Sequence, residues 1–122
     1  MVMKKSTWIT HNGKKIFYAD YSDFGKEFQK LKAEVDYANA IIVKEPKDSL
    51  LLLVNVTDTI GTSEITFYLK DAAIQAKSNV RKAAVIGISG VRLALLRSVT
   101  YLSGMDIMPF DDIEKAKAWL VV

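Results

Sequence analysis

Cysteine is absent from the 122 residues, which excludes disulfides and thiolate metal sites together. Histidine occurs once, at His11 beside a turn; no second imidazole is present to share a metal and no carboxylate can be assigned to it, so an exposed turn histidine is expected and not a ligand or an acid/base group. The two prolines, Pro46 and Pro109, mark no linker, and neither a low-complexity tract nor an internal repeat divides the chain. No segment approaches the roughly 18 consecutive apolar residues of a membrane helix. The opening MVMKKSTW is not followed by a signal-peptide core, so the expectation is a cytoplasmic protein without membrane insertion. Charge of one sign does not dominate either: 17 Lys and Arg face 14 Asp and Glu, for a formal net charge of +3. The basic residues are scattered. Arg81 and Lys82 stand together but lack the concentrated charge and stacking aromatics of a nucleic-acid surface, and no nucleic-acid partner is expected.

What is present suits one domain spanning residues 1–122, half of them hydrophobic and a quarter charged. The stretch Ser49 to Ser63, SLLLLVNVTDTIGTS, organises the rest. Its apolar run reads as a central strand buried on both faces, and its polar tail as the carboxyl end where α/β sheets gather ligands. Before it, Thr7 to His11 and Lys14 to Tyr21 flank Asn12-Gly13, the pair favoured by a type I′ hairpin turn. Phe24, Phe28, Leu31, Val35, Ala38 and Ile42 then follow helical spacing, with Ser22 or Asp23 as cap and Lys26, Lys30, Glu34 and Asp36 on other faces.

A second helix, Ser63 to Ser78, carries Ile65, Leu69, Ala72 and Ala76 on one face. Phe67 and Ile74 lie off that stripe, covered either by neighbouring helices, by a second subunit or by an apolar ligand. The run Ala83 to Ile88 reads as a buried strand, Val91 to Ser103 as a third helix with Gly104 just past its end, and Met105 to Phe110 as an edge strand containing Pro109. Asp111 or Asp112 caps a last helix with Ile113, Ala116, Trp119 and Leu120 facing inward. The order predicts an α/β fold: an N-terminal β-hairpin, then βα units forming a mostly parallel five-stranded sheet with four helices.

Candidate chemistry is sparse. If the second and third strands run parallel, Asp20 and Asp58 emerge at one edge, either as paired carboxylates or as caps. Gly87-Ile88-Ser89-Gly90 misses a nucleophile elbow because Val91 replaces the second glycine, and misses a phosphate loop for want of Lys-Ser or Lys-Thr. Ser89 and Gly90 begin a helix whose free N–H groups, with Arg92, form an anion or ligand rim, unless Ser89 is simply its cap. No catalytic residue, metal or cofactor is assigned.

The chain resembles the STAS domain, and within it the stand-alone prokaryotic SpoIIAA-like proteins. The resemblance rests on Gly13-Lys14-Lys15-Ile16 through Asp20, on Leu52 to Thr57, on Lys82 to Gly90, and on Phe110-Asp111 with Glu114, Ala116, Trp119 and Leu120. It implies a SpoIIAA-like fold and a non-enzymatic regulatory or protein-interaction role, similar to anti-sigma-factor antagonists, in which a Ser or Thr after the central strand is phosphorylated. Here that neighbourhood offers Asp58, Thr59, Thr62 and Ser63 without the usual Asp-Ser-Ser-Gly string, and a cap at Thr62 or Ser63 accounts for the same residues. The resemblance extends to CRAL-TRIO lipid carriers, which implies a pocket lined by Phe67, Tyr68, Ile74 and Tyr101. A protein partner or a homodimer is expected, because simple strand winding leaves one sheet face for the last helix or a second copy to cover. A small-molecule ligand (nucleotide, other anion or lipid) is the alternative.

Overall fold

The computed structural model describes residues 4–88, 100 and 103–122. Strand β1 (Thr7–His11) turns into β2 (Lys14–Asp20) through Asn12 and Gly13, whose φ angles of 50° and 76° are the positive pair a type I′ turn needs. Helix α1 (Phe28–Ile42), β3 (Leu50–Asn55), α2 (Ser63–Ala76), a 3₁₀ turn (Lys77–Asn79), β4 (Val80–Ile86), β5 (Ile107–Phe110) and α3 (Ile113–Leu120) follow. The sheet order is β1-β2-β3-β4-β5, antiparallel in the hairpin and parallel thereafter, so the five-stranded sheet is mixed. Pro109, which has no N–H to donate, sits on the β5 edge as expected.

Three α-helices, not four, are found among the described residues. The helix expected at Val91 to Ser103, with Ser89, Gly90 and Arg92 at its start, lies outside them except for Thr100 and Ser103. Gly104 is described, and its N–H donates to Thr100 O at 3.0 Å. No helix of the described residues is long and apolar enough to cross a membrane.

Alternation along the strands builds two cores. Phe17, Ala19, Leu50, Leu52 and Ala83 face α1 and α2, meeting Leu31, Val35 and Ile65. Ile16, Leu53, Ala84 and Ile86 face the other way, against Ala116 and Leu120 of α3. The last helix thus covers the second face of β3, which accounts for a strand apolar on both sides. Each fully buried Leu or Ile in these layers contributes roughly 1.5–3 kcal/mol.

Helix α1 begins four residues later than its apolar spacing suggests. Asp23 adopts φ 63°, a left-handed value that ends helical propagation, and Phe24 reaches the core from a loop. Glu27 holds the N-cap position without a side-chain bond, and neither Ser22 nor Asp23 caps the helix. Strand β4 starts at Val80, so Arg81 and Lys82 are strand residues and not its approach.

Candidate functional site

The carboxyl ends of β2 and β3 place the expected rim, and backbone bonds stitch the two loops there together. Tyr21 N donates to Asn55 O at 2.8 Å, Asp23 N to Thr57 O at 2.8 Å, Gly25 N to Asp58 O at 3.0 Å and Ile60 N to Gly25 O at 2.8 Å. The Thr59 hydroxyl closes the seam from inside, donating to Tyr21 O at 2.5 Å and accepting from Phe24 N at 3.1 Å, and the residue is only 4% exposed. On the far side Val56 N donates to Ile86 O, and Gly87, with φ 88°, lies so close that a Cβ would fall 2.3 Å from Thr57 Oγ1. Backbone bonds thus tie the loops after β2 and β3 to each other.

Asp20 and Asp58 do not act together there. Asp20 accepts from Ser22 N at 3.1 Å and Ser22 Oγ at 2.5 Å, while its Oδ1 lies 3.5 Å from Lys5 Nζ. Asp58 is exposed in a left-handed turn, and no cluster of three metal-binding side chains occurs among the described residues. Lys5 comes within 3.3 Å of the Ser22 hydroxyl, which raises the question of a Ser-Lys nucleophile. Its ammonium instead donates to Ser22 O, pairs with Asp20 and sits 4.5 Å over the Phe24 ring, while the Ser22 hydroxyl donates to Asp20 Oδ1 at 2.5 Å and not to Lys5. The cluster holds the N-terminal segment in place.

Glu34, placed on an outer helix face by its charge, is fully buried. Its carboxylate accepts from Ser6 N at 2.9 Å and from Lys5 N at 3.1 and 3.3 Å, anchoring the segment that leads into β1. No local pattern signals this, because the partners are backbone donors 28 and 29 residues away.

At the other side of the rim, Thr62 caps α2 by accepting from Ile65 N at 3.2 Å, and Ser63 follows as an exposed first helical residue. The outer face of α2 and the loop before it carry Ile60, Phe67 and Ile74, which are 39%, 58% and 49% exposed. The neighbouring-helix reading of Phe67 and Ile74 therefore does not hold. Tyr68 turns away toward α1, edge-on to Phe28 at 5.5 Å, with its hydroxyl donating to Asp36, which also pairs with Lys32 at 3.0 Å. Burial tends to raise the Asp36 pKa, but the bonds from Tyr68 and Lys32 outweigh it and hold the carboxyl below its usual range. Burial first, then the bond to Asp36, pushes the Tyr68 phenol up.

Beneath α2 lies an apolar cavity of about 140 Å³, lined by Leu52, Val54, Ile65, Leu69, Ala73 and Val85 among others. Of the residues expected in a lipid pocket, Phe67, Tyr68 and Ile74 stay outside it, and Tyr101 lies outside the described residues. The Tyr21 phenol also faces this space, its pKa driven strongly upward by burial, with the Glu34 and Asp36 charges adding to the effect. No known protein-family model, curated protein or solved structure matches the chain.

Proposed function

We propose that the chain is a STAS-like, non-enzymatic regulatory or protein-interaction domain whose contact face is α2 with the loop before it. One observation carries the proposal: Phe67 and Ile74, two turns apart on one face of α2, and Ile60 in the loop before it are exposed, while the opposite face of the helix is buried in the core. The stitched rim beside them lends rigidity, so a partner would meet a preformed surface at little ordering cost. The order of hairpin and βα units supports the STAS-like part of the reading. Of the three candidate hydroxyls Thr59, Thr62 and Ser63, Thr59 is buried and Thr62 occupied as a cap, which leaves Ser63 as the exposed one. A phosphate there would add nearly two negative charges next to Phe67 and weaken an apolar contact by repulsion and desolvation.

The test is a photoreactive benzophenone side chain in place of Phe67, with the same group at exposed Lys115 of α3 as control. A discrete adduct at position 67, absent at 115 and lost when Ile74→Asp is added, is the expected outcome. Equal labelling at both positions, or none at 67, would refute the assignment of this face.

The cavity favours a second, narrower reading, a small apolar ligand. A cavity of about 150 Å³ holds a molecule of benzene size, and the apolar space of about 140 Å³ here fits that class. Benzene-sized apolar compounds should raise the melting temperature by the linkage relation, and a flat response across them would eliminate the reading.

A further inference from the structure

At the end of the sheet opposite the rim, the fold gathers charge that the sequence scatters. A groove of about 430 Å³ is lined by Lys14 and Lys15 from the hairpin, Arg81 and Lys82 from β4, Trp8, and Glu45 as its one acidic residue. Seventeen basic residues less these four, and fourteen acidic less Glu45, leave thirteen of each elsewhere. Four basic side chains against one acidic one therefore line this groove, while the side-chain charges elsewhere balance.

Two of the four cations donate hydrogen bonds within the fold. Lys14 Nζ donates to Val121 O at 2.9 Å, and Lys82 Nζ to Trp119 O at 2.9 Å and Val122 O at 3.2 Å, complementing the carboxyl end of α3. Lys15 and Arg81 make no salt bridge among the described residues. Arg81 is moreover the extra residue of a β-bulge: Leu50 pairs with Val80 and Leu51 with Lys82, leaving Arg81 without a counterpart on β3. Bulges are uncommon between parallel strands and re-aim the residue they carry.

We infer that this groove binds a compact polyanion with adjacent phosphate groups, held chiefly by Lys15 and Arg81. A guanidinium presents the forked donors that phosphate oxygens accept, and the volume is that of a small-molecule site. Trp8 is no platform for a stacked base, since Lys15 lies over its ring at 5.5 Å and Phe17 meets it edge-on at 5.1 Å. That geometry favours a small anion over a nucleic-acid strand. The site lies away from α2 and does not depend on the contact face assigned there.

Calorimetric titration with inorganic pyrophosphate, and in parallel with ADP, tests the inference at fixed ionic strength. At least one of the two should bind saturably with a Kd below about 1 mM, and Trp8 emission should shift with the same midpoint. Comparable affinities identify the anionic groups alone as what is recognised; tighter ADP binding identifies an organic diphosphate. Arg81→Gln and Lys15→Gln should each weaken binding about fivefold or more while leaving the melting temperature of the free protein unchanged. Ile74→Asp should leave it intact. Absence of saturable binding by both probes, or binding indifferent to both Gln variants, would overturn the inference.

Discussion

Replacing Glu34 by glutamine removes a charge and leaves shape almost untouched, so its cost measures what the buried carboxylate does. Two backbone donors depend on it, Ser6 N at 2.9 Å and Lys5 N shared between the two oxygens. Bonds to a charged acceptor are worth about 1.5–3 kcal/mol each, and an orphaned buried N–H costs about 1–3 kcal/mol. Oε2 accepts from both donors and Oε1 from Lys5 N alone, so the amide keeps a neutral oxygen, a weaker acceptor, for Ser6 N and turns its NH₂ group toward Lys5 N. Lys5 is partly exposed and its N–H can find water; Ser6 is buried and has no such recourse. Glu34→Gln should therefore cost about 2–3 kcal/mol in denaturant unfolding with an unchanged m-value. The loss should be local in origin. Ser6 Oγ accepts from Asp20 N at 3.0 Å and Lys5 reaches Ser22 and Asp20, so loosening this segment frees the end of β2 as well. Hydrogen exchange should accelerate at Ser6 and Asp20 well before Leu53 is affected. A variant within about 0.5 kcal/mol of the parent, with the Ser6 amide still protected, would show that the anchor contributes nothing and that the reasoning is wrong.

Other perturbations probe the seam and the phenols. Thr59→Val should cost about 1.5–3 kcal/mol by leaving Tyr21 O and Phe24 N unpaired, and Thr59→Ser should recover most of it in the same unfolding assay. Gly87→Ala forces a Cβ onto Thr57 at a positive φ and should cost about 3 kcal/mol or more; a melting temperature equal to the parent's would contradict the packing described. Tyr21 and Tyr68 have folded pKa values above the ordinary 10.0, so the stability they contribute is complete below that pH and lost as pH rises through the folded values. Tyrosinate absorbance should show late ionisation that coincides with alkaline unfolding, and Tyr21→Phe should reduce the alkaline sensitivity.

Much of this architecture could be read from residue order because its causes are local. Asn12-Gly13 dictates a turn that almost no other pair makes, Pro109 belongs on an edge, and the Leu50–Asn55 run announces a strand covered from both sides. Errors arose where a distant partner decided the outcome. Phe24 continues the apolar spacing of α1 yet is held in a loop by the Thr59 hydroxyl, 35 residues away. Glu34 carries a surface residue's charge but is buried by backbone donors from the first strand's approach. The hydroxyls after β3 look alike in sequence, and only the fold separates buried Thr59, capping Thr62 and exposed Ser63. Lys15 and Arg81 could not be grouped from the chain alone, since the sheet brings them to one groove from strands far apart in sequence.

The sheet's order has a bearing on how the chain acquires its structure. Among the described residues, each strand after β1 pairs with the strand before it. The hairpin closes across two residues, on a timescale of about 1–10 μs, and offers β2 as a docking edge for β3 once α1 has made its crossover. Emerging from a ribosome, each new strand finds its template already made, and the sheet grows in one direction like a zip. The vulnerable interval comes after β3 docks and before β4 arrives, when Leu50–Asn55 is an uncovered apolar edge. Released chains truncated between residues 56 and 79 should therefore aggregate more readily than the full chain.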